Sequence, residues 1–308
     1  MICNNLYSQK YEVVDSIVKS YSNNVTTIDD LVSKINLDFD TNENKTRATF
    51  YWISNNINYD VAFLEILKNN GIKTFSYKSE SERIKKEDKF ILELANKTIK
   101  SKLAVCLGYS ALFQIICKKL KIDCKIIKGN LKSDINQIGQ NLEINHAWNL
   151  VKINNKWELV DCTLAAGKIS TKTNLFIPKY NDSFFFTKPE FFALNHFPED
   201  KEYSLKSLSK EDFIELPVYY PDYIKENYKM NAPKNGNLSS KNHSLSIFFE
   251  NPEIVNNKVE YYFLKDKEFV IVENEEKTLN YVIPFNSKSN DAILIYVNRK
   301  LIVGYKLI

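Results

Sequence analysis

The sequence has no apolar run approaching the roughly 18 residues that a membrane-spanning helix needs. Its first residues, MICNNLYSQKYEVVDS, also lack the apolar stretch of a signal peptide. Its five cysteines are odd in number and include no CxxC pair, which argues against a disulfide framework and against a zinc ribbon. We therefore expect a soluble chain with free thiols and a cytoplasmic location, or an exported one if a signal peptide was removed from the sequence.

No block of lysine and arginine dominates any part of the chain. Its 42 basic and 38 acidic residues are spread along the sequence and give a formal net charge of +4. Binding of nucleic acid requires clustered positive charge, so nucleic acid is not expected as a partner. An acidic loop with the calcium-binding spacing DxDxDG is also missing, so neither a metal nor another cofactor is expected.

Helical patterns dominate the first hundred residues. Apolar residues recur at steps of three and four between Tyr7 and Tyr21, and again between Ile28 and Ile35 after a capping Thr27. Two more helices are predicted, one within ENKTRATFYWISNNINYD and one within SERIKKEDKFILELANKTIK. Downstream, the runs IDCKIIKG, INHAWNLVKI and KWELVDC are typical of strands. A helical block followed by strands predicts the α+β class rather than a doubly wound fold.

The last third of the sequence has a different character. Residues 205–240 are rich in proline and asparagine and include NAPKNGNLSS, which is typical of a linker. Short β-rich runs follow, from SLSIFFE to KLIVGYKL, and predict a small all-β sandwich. We therefore expect a first domain over residues 1–204, a linker over 205–240 and a β domain over 241–308.

Cys106 lies in the segment SKLAVCLGYSALFQIICKKL, directly before a densely apolar helix. A free cysteine usually packs as a small hydrophobe, so packing alone explains Cys106 when it is taken by itself. Gly108 and the hydroxyl residues around it place the start of the helix next to Cys106, where the helix dipole favours a thiolate. Both interpretations stay open at this point, whereas Cys117, Cys124 and Cys162 are expected in the core.

A reactive thiolate needs a base, and the chain has only three histidines. His196 lies in a segment rich in phenylalanine and proline, and His243 lies in the predicted linker. His146 begins the predicted strand NHAWNLVKI, which leads into a hairpin. His146 is therefore the candidate base.

The predicted hairpin brings His146 near Asp161. A two-residue turn at residues 154–155, or a four-residue loop, sets Leu150 opposite Leu159, so that His146 and Asp161 become diagonal neighbours on one face. A three-residue loop would break this arrangement. An attacking thiolate, an imidazole that moves the proton and a carboxylate that orients the ring are the parts of a Cys-His-Asp site.

Each of these residues also has an ordinary structural explanation, and an aspartate that ends a strand is commonly only a cap. Their common face and common chemistry nevertheless favour a catalytic site made of Cys106, His146 and Asp161. Trp148 shares the face of His146, where it either walls a pocket for the acyl group of a substrate or belongs to the core.

At this point the sequence resembles the transglutaminase-like superfamily, with its papain-type Cys-His-Asp core, and within it the kyphoscoliosis peptidase-like branch. Four segments between about residues 45 and 200 carry the resemblance: RATFYWISNNINYD, AVCLGYSALFQIIC, NHAWNLVKINNKWELVDCTLAAG and FFFTKPEFFALNHFPED. The resemblance implies that Cys106 is the nucleophile, His146 the base and Asp161 the orienting residue, and that a β-rich domain follows. Ala104 and Leu107 depart from the glycine and the acidic or amide residue that commonly flank the cysteine.

The expected function is acyl transfer by a cysteine enzyme that acts on protein or peptide amides. Attack by the thiolate on an amide carbonyl gives an acyl-enzyme, which water or an amine then resolves. The resemblance covers peptidases, deamidases and crosslinking enzymes, and it also covers inactive modules. The alternative is therefore a non-catalytic protein-interaction or scaffolding module that retains the papain-like core.

Overall fold

The computed structural model describes residues 3–21, 25–70, 76–170, 172–203, 208–239, 244–265, 267–273, 277–285 and 292–308. The chain divides into two compact units, the first formed by residues 1–128 with 146–187 and the second by residues 129–145 with 188–308. As limits of separately folding domains, the boundaries at residues 204 and 240 stay a prediction.

Helices occur in both units. They are α1 (Cys3–Lys19), α2 (Ile28–Asp38), α3 (Asn42–Asn56), α4 (Val61–Asn70), α5 (Glu80–Ser101), α6 (Cys106–Lys119), α7 (Cys162–Ala166), α8 (Pro189–Phe192), α9 (Lys210–Glu215) and α10 (Pro221–Lys225). Among the described residues, no helix is both long enough and apolar enough to cross a bilayer.

The strands are short. They are β1 (Asn58–Tyr59), β2 (Leu103–Ala104), β3 (Cys124–Leu131), β4 (His146–Ile153), β5 (Lys156–Val160), β6 (Gly167–Ile169), β7 (Phe176–Pro178), β8 (His196–Pro198), β9 (Val218–Tyr219), β10 (Met230–Asn231), β11 (Asn237–Leu238), β12 (Ser244–Phe249), β13 (Val259–Phe263), β14 (Phe269–Ile271), β15 (Asn280–Pro284), β16 (Ala292–Val297) and β17 (Lys300–Leu307). The predicted α+β class is confirmed.

The N-terminal helices form where the apolar spacing predicted them. The Thr27 side chain caps α2 by accepting a hydrogen bond from the Asp30 amide, and the apolar face of this helix, including Leu31 and Ile35, is buried. Helix α4 was not predicted. The Asp60 side chain accepts a hydrogen bond from the Phe63 amide at its start, but most of its apolar residues are only half-buried, so their spacing gave a weak signal.

Helix α6 lies in the middle of the first unit. Its residues Tyr109, Leu112, Phe113 and Ile116 are completely buried. Helix α5 and strand β2 approach it so closely at Gly108 that an added Cβ would lie 2.7 Å from the Ala104 Cβ and 2.8 Å from the Thr98 Oγ1. Gly108 is therefore needed for the packing of these elements. 

Strands β5, β4 and the start of β3 lie side by side in the first unit. Strands β4 and β5 pair antiparallel with Leu150 opposite Leu159 and Ile153 opposite Lys156. The turn consists of Asn154 and Asn155, both with positive φ, 49° and 64°. This is the two-residue turn that the sequence predicted, and positive φ at both positions is typical of a type I′ hairpin.

The strands after residue 208 form two sheets in the second unit, and a separate β domain over residues 241–308 stays a prediction. One sheet has the order β10-β12-β15, and the other has the order β11-β17-β16-β13-β14 with β9 beside β17. Burial alternates residue by residue along β12, as expected for a strand with one face in a core. The segment predicted as a linker forms α9, β9, α10, β10 and β11 over its described residues 208–239, since short runs such as Val218–Tyr219 pair with β17.

A buried lysine binds the C-terminal end of α9 in the second unit. Lys132 is completely buried, and its ammonium group donates hydrogen bonds to the backbone carbonyls of Phe213, Ile214 and Leu216 at the end of α9. The Phe213 carbonyl also accepts a hydrogen bond from the Leu216 amide, and the Ile214 carbonyl accepts one from the Gly139 amide, so the lysine adds a shared donor to the carbonyls at the helix end.

Candidate active site

Cys106 is the first residue of α6 and is half-buried. The chain reaches it through β2, which pairs in parallel with β1. Two backbone hydrogen bonds fix this pairing, from the Asn58 amide to the Lys102 carbonyl and from the Asp60 amide to the Ala104 carbonyl, both at 2.9 Å. The position of the thiol is therefore set by a segment almost fifty residues earlier in the chain.

The start of α6 has no side-chain cap. Val105 precedes the helix, and its carbonyl accepts hydrogen bonds from the Gly108 and Tyr109 amides. Within the described ranges, the Cys106 and Leu107 amides have no backbone acceptor. The thiol thus lies at the positive end of the helix dipole, beside free N–H groups that can bind an anion.

His146 and Asp161 form a buried pair across the hairpin. The imidazole Nε2 lies 2.7 Å from the Asp161 Oδ2, and the two side chains are 4% and 0% exposed. Asp161 also caps α7, since its Oδ1 accepts hydrogen bonds from the Thr163 and Leu164 amides at 2.8 and 3.0 Å. One carboxylate therefore does both things that the sequence left open, capping a helix with one oxygen and orienting the histidine with the other.

The environment of His146 favours its charged form. Burial by itself lowers the pKa of His146, but the charge and hydrogen bond of Asp161, together with a hydrogen bond and charge from the Cys106 side chain, raise it to about 10. Because Nε2 contacts Asp161, Nδ1 is the nitrogen left for the thiol. An imidazolium at neutral pH is the natural partner of a thiolate.

Trp148 lies on the same strand as His146 and is 1% exposed. Its ring is stacked on the imidazole with 6.2 Å between the ring centroids. This packing limits the rotation of the His146 ring, and the predicted role of Trp148 as a wall of an acyl pocket stays a prediction.

The remaining cysteines and histidines have other surroundings. Cys117 and Cys162 are buried, and burial raises the pKa of the Cys162 thiol. His196 is a buried residue of the second unit, stacked on Phe192 with 3.7 Å between centroids. His243 lies outside the described residues.

Tyr59 is the site residue that the sequence did not reveal. Its ring stacks on Tyr109, with 6.5 Å between centroids, and lies 6.4 Å from the ring of Phe176. Burial and the nearby charges of Cys106 and Asp161 raise the pKa of Tyr59, so the phenol is protonated at neutral pH. The parallel pairing of β1 with β2 places Tyr59 opposite Ala104, two residues before Cys106, and no local sequence pattern encodes that pairing.

Comparison with known proteins gives one family and several relatives. Residues 29–162 match the family model of the transglutaminase-like superfamily. Human kyphoscoliosis peptidase is 29% identical over 202 residues, which cover 64% of this chain and 27% of that protein. Cytokinesis protein 3 of Schizosaccharomyces pombe is 32% identical over 101 residues, which cover 32% of this chain and 11% of that protein.

A crystal structure of a TGase matches 58% of this chain and 38% of its own chain, with a TM-score of 0.32 and 17% identity. The matches to the curated relatives span 27% of the length of human kyphoscoliosis peptidase and 11% of the length of the fission-yeast protein. Most of the length of each of these relatives lies outside the match.

Proposed function

Because residues 29–162 match the transglutaminase-like family model and 202 residues of the chain are 29% identical to kyphoscoliosis peptidase, we propose that the chain is a cysteine acyl-transfer enzyme acting on protein or peptide amides. In this proposal Cys106 is the nucleophile, His146 the base and Asp161 the residue that orients the base. The observation that carries it is one buried imidazole held by a carboxylate at 2.7 Å, whose pKa is raised by that carboxylate and by the Cys106 side chain.

The first half of the reaction forms an acyl-enzyme. In the resting pair the imidazolium of His146 holds on Nδ1 the proton of the Cys106 thiol, and the thiolate attacks the amide carbonyl carbon as the carbonyl electron pair moves to oxygen. The free Cys106 and Leu107 amides at the start of α6 are suited to bind that oxyanion. When the C–N bond breaks, the imidazolium returns the proton to the leaving nitrogen, and the carbonyl forms again as a thioester.

The second half releases the acyl group. Water attacks the thioester in hydrolysis and an amine attacks it in crosslinking, and in both cases His146 removes a proton from the nucleophile and returns one to the sulfur. Asp161 keeps the ring in one orientation through both halves because its other oxygen is tied to the α7 amides. 

The proposal is tested first on the thiols, without a substrate. Iodoacetamide near neutral pH should label Cys106 faster than Cys117 and Cys162, which are buried. His146→Ala should slow labelling of Cys106 and leave the other two unchanged. If Cys106 reacts no faster than Cys117, or if His146→Ala has no effect, the proposal is wrong and the non-catalytic interaction module remains.

A second measurement separates the two reactions. Incorporation of a labelled amine and release of ammonia or peptide are followed on a generic protein substrate, with Cys106→Ala as the control. Amine incorporation that depends on Cys106 supports crosslinking. Release of peptide or ammonia that depends on Cys106, with no amine incorporation, supports a peptidase or a deamidase.

A further inference from the structure

Cys117 and Cys124 lie on either side of the turn that ends α6. The Lys121 amide donates a hydrogen bond of 3.1 Å to the Lys118 carbonyl. The Ile122 amide donates one of 2.9 Å to the Cys117 carbonyl, and Lys121 has a positive φ of 61°. This is a Schellman motif, which fixes the path of the chain as it leaves the helix. Strand β3 begins at Cys124, two residues after the motif, so Cys117 and Cys124 keep a defined separation.

The face of α6 that carries Cys117 packs against the start of β3. Ser110, Gln114 and Cys117 share this face because they follow one another at steps of four and three. The Gln114 side-chain amide donates to the Cys124 carbonyl at 3.2 Å. The Asn149 side-chain amide of β4 lies 3.7 Å from the Cys124 sulfur and donates to the Ser110 carbonyl at 3.1 Å. The Cys124 thiol is therefore directed towards the helix face on which Cys117 lies.

The two thiols are also near neighbours in their electrostatics. Burial raises the pKa of Cys124, and the Cys117 side chain raises it further, an effect that acts over distances of about 4–6 Å. Cys117 is completely buried, whereas Cys124 is half-buried. A small reagent from solvent therefore meets Cys124 before Cys117.

We propose that Cys117 and Cys124 close to a reversible disulfide when a hydroperoxide oxidises the Cys124 thiol. The disulfide cross-links the end of the helix that begins with Cys106 to the first residue of β3. The loop that it closes contains only residues 117–124, whose turn the Schellman motif already holds in place. The pair is a site of thiol oxidation, and its chemistry does not depend on the function proposed for Cys106.

The reaction balances in two steps. The Cys124 thiolate attacks one oxygen of the hydroperoxide, an S–O bond forms as the O–O bond breaks, and water or an alcohol leaves after protonation. The sulfur is thereby oxidised to a sulfenic acid and the hydroperoxide is reduced. The Cys117 sulfur then attacks the Cys124 sulfur, the S–S bond forms as the S–O bond breaks, and the hydroxyl leaves as water with the Cys117 proton.

Peptide mapping of the folded, full-length chain tests the pair. Cys106→Ala is treated with hydrogen peroxide in mildly alkaline buffer, free thiols are blocked with iodoacetamide in denaturant, and the protein is cut with trypsin. Cleavage after Lys118, Lys119 and Lys121 separates the two cysteines, so only a disulfide holds segments 103–118 and 122–125 together. Replacement of Cys106 leaves Cys117 as the sole cysteine of its segment.

The linked segments should appear after peroxide, disappear with a thiol reductant, and exceed any other cysteine pair by about 10-fold or more. The same reaction in urea is the control, and the preference should weaken there because the fold no longer holds the thiols together. An equal preference in urea would overturn the proposal. Recovery of both cysteines as alkylated thiols, or of Cys124 linked mainly to Cys162 or Cys3, would also overturn it.

Two variants test the order of the steps. Cys117→Ala should stop the reaction at the sulfenic acid of Cys124, which dimedone traps, whereas Cys124→Ala should leave the buried Cys117 unoxidised. Cys162→Ala, at another buried cysteine, is the matched control and should leave the disulfide unchanged. Dimedone on Cys117 instead of Cys124 would contradict the order. The peptide map uses none of these variants, so it decides the proposal even if one of them does not fold.

Urea unfolding of Cys106→Ala with and without peroxide gives an independent measurement. A disulfide that the fold accepts without strain restricts the unfolded chain, so the oxidised protein should unfold at a higher urea concentration than the reduced one. The shift should vanish in Cys117→Ala. A lower midpoint for the oxidised protein would show that the two thiols do not lie in disulfide geometry, and the proposal would be wrong.

Discussion

Replacement of Asp161 by asparagine tests the electrostatics of the site directly. Asparagine can still cap α7 with its carbonyl oxygen, so the amides of Thr163 and Leu164 keep their acceptor. Its amide nitrogen then faces His146 Nε2 and donates to it, which leaves the proton of the neutral ring on Nδ1, the nitrogen that should accept from the thiol. The variant therefore changes the charge and the tautomer while the local fold is retained.

The size of the pKa change expected in Asp161→Asn follows from the surroundings of His146. Asp161 and Cys106 raise the pKa of His146 from 6.5 to about 10 against the effect of burial. At about 1.4 kcal/mol for each pKa unit, this corresponds to on the order of 5 kcal/mol in favour of the imidazolium. Without the carboxylate, burial prevails, and the pKa of His146 should fall below 6.5 in Asp161→Asn.

NMR titration of the imidazole carbons measures the pKa of His146 without a substrate. The chain has three histidines, and His146→Gln assigns the resonance of interest. The pKa values of the other two histidines should stay unchanged, which controls for a general loss of structure. A His146 pKa near 6.5 in the wild-type protein, or one that stays near 10 in Asp161→Asn, would refute the reasoning.

The same shift predicts how stability depends on pH. The folded-state pKa of His146 is raised above its ordinary value of 6.5, so its stabilising contribution is complete below about pH 6.5. It is lost as the pH rises through about 10. The difference in free energy of unfolding between the wild-type protein and Asp161→Asn should therefore shrink steadily across this range, and a difference that grows with pH would contradict the assignment.

Three further substitutions test the scaffold by urea unfolding. Asn155→Val places a β-branched residue at positive φ and should cost about 1–2 kcal/mol, whereas Asn155→Gly should cost nothing; equal losses would contradict the turn type. Gly108→Ala puts a Cβ 2.7 Å from the Ala104 Cβ and should cost about 1–3 kcal/mol and slow alkylation of the thiol next to it; wild-type stability would show that the contact yields. Lys132→Met removes a donor from three carbonyls, of which those of Phe213 and Ile214 keep a backbone donor, and should cost about 1–3 kcal/mol; a loss below about 0.5 kcal/mol would disprove its capping role.

A contact can be predicted from the sequence when the residues that make it are close together along the chain. The hairpin register follows from two residues, Asn154 and Asn155, whose turn chemistry is local, and that register brings His146 and Asp161 to one face. The pairing of β1 with β2 joins residues 45 positions apart, such as Tyr59 and Ala104, and neither strand has a periodic pattern that marks it. The position of Tyr59 opposite Ala104 therefore cannot be derived from the sequence pattern around either residue.

Segment 205–240 illustrates another limit. Proline and asparagine are typical of an extended connection, but they also begin and end very short elements. Pro221 is the first residue of α10, and the two-residue strand β9 pairs with β17. Elements of two to six residues carry too little periodicity to be recognised from the sequence, so only their packing reveals them.

The hairpin that joins His146 to Asp161 sets the order in which this site matures on the ribosome. The two residues are 15 positions apart and meet through a tight turn, a contact that forms early because little chain must be closed. Cys106 is synthesised first, however, and Asp161 leaves the ribosome 55 residues later, a delay of several seconds at ~5–20 residues per second. Throughout that interval the nascent thiol is without the His146–Asp161 pair, so under the proposed function its activation waits until the hairpin closes.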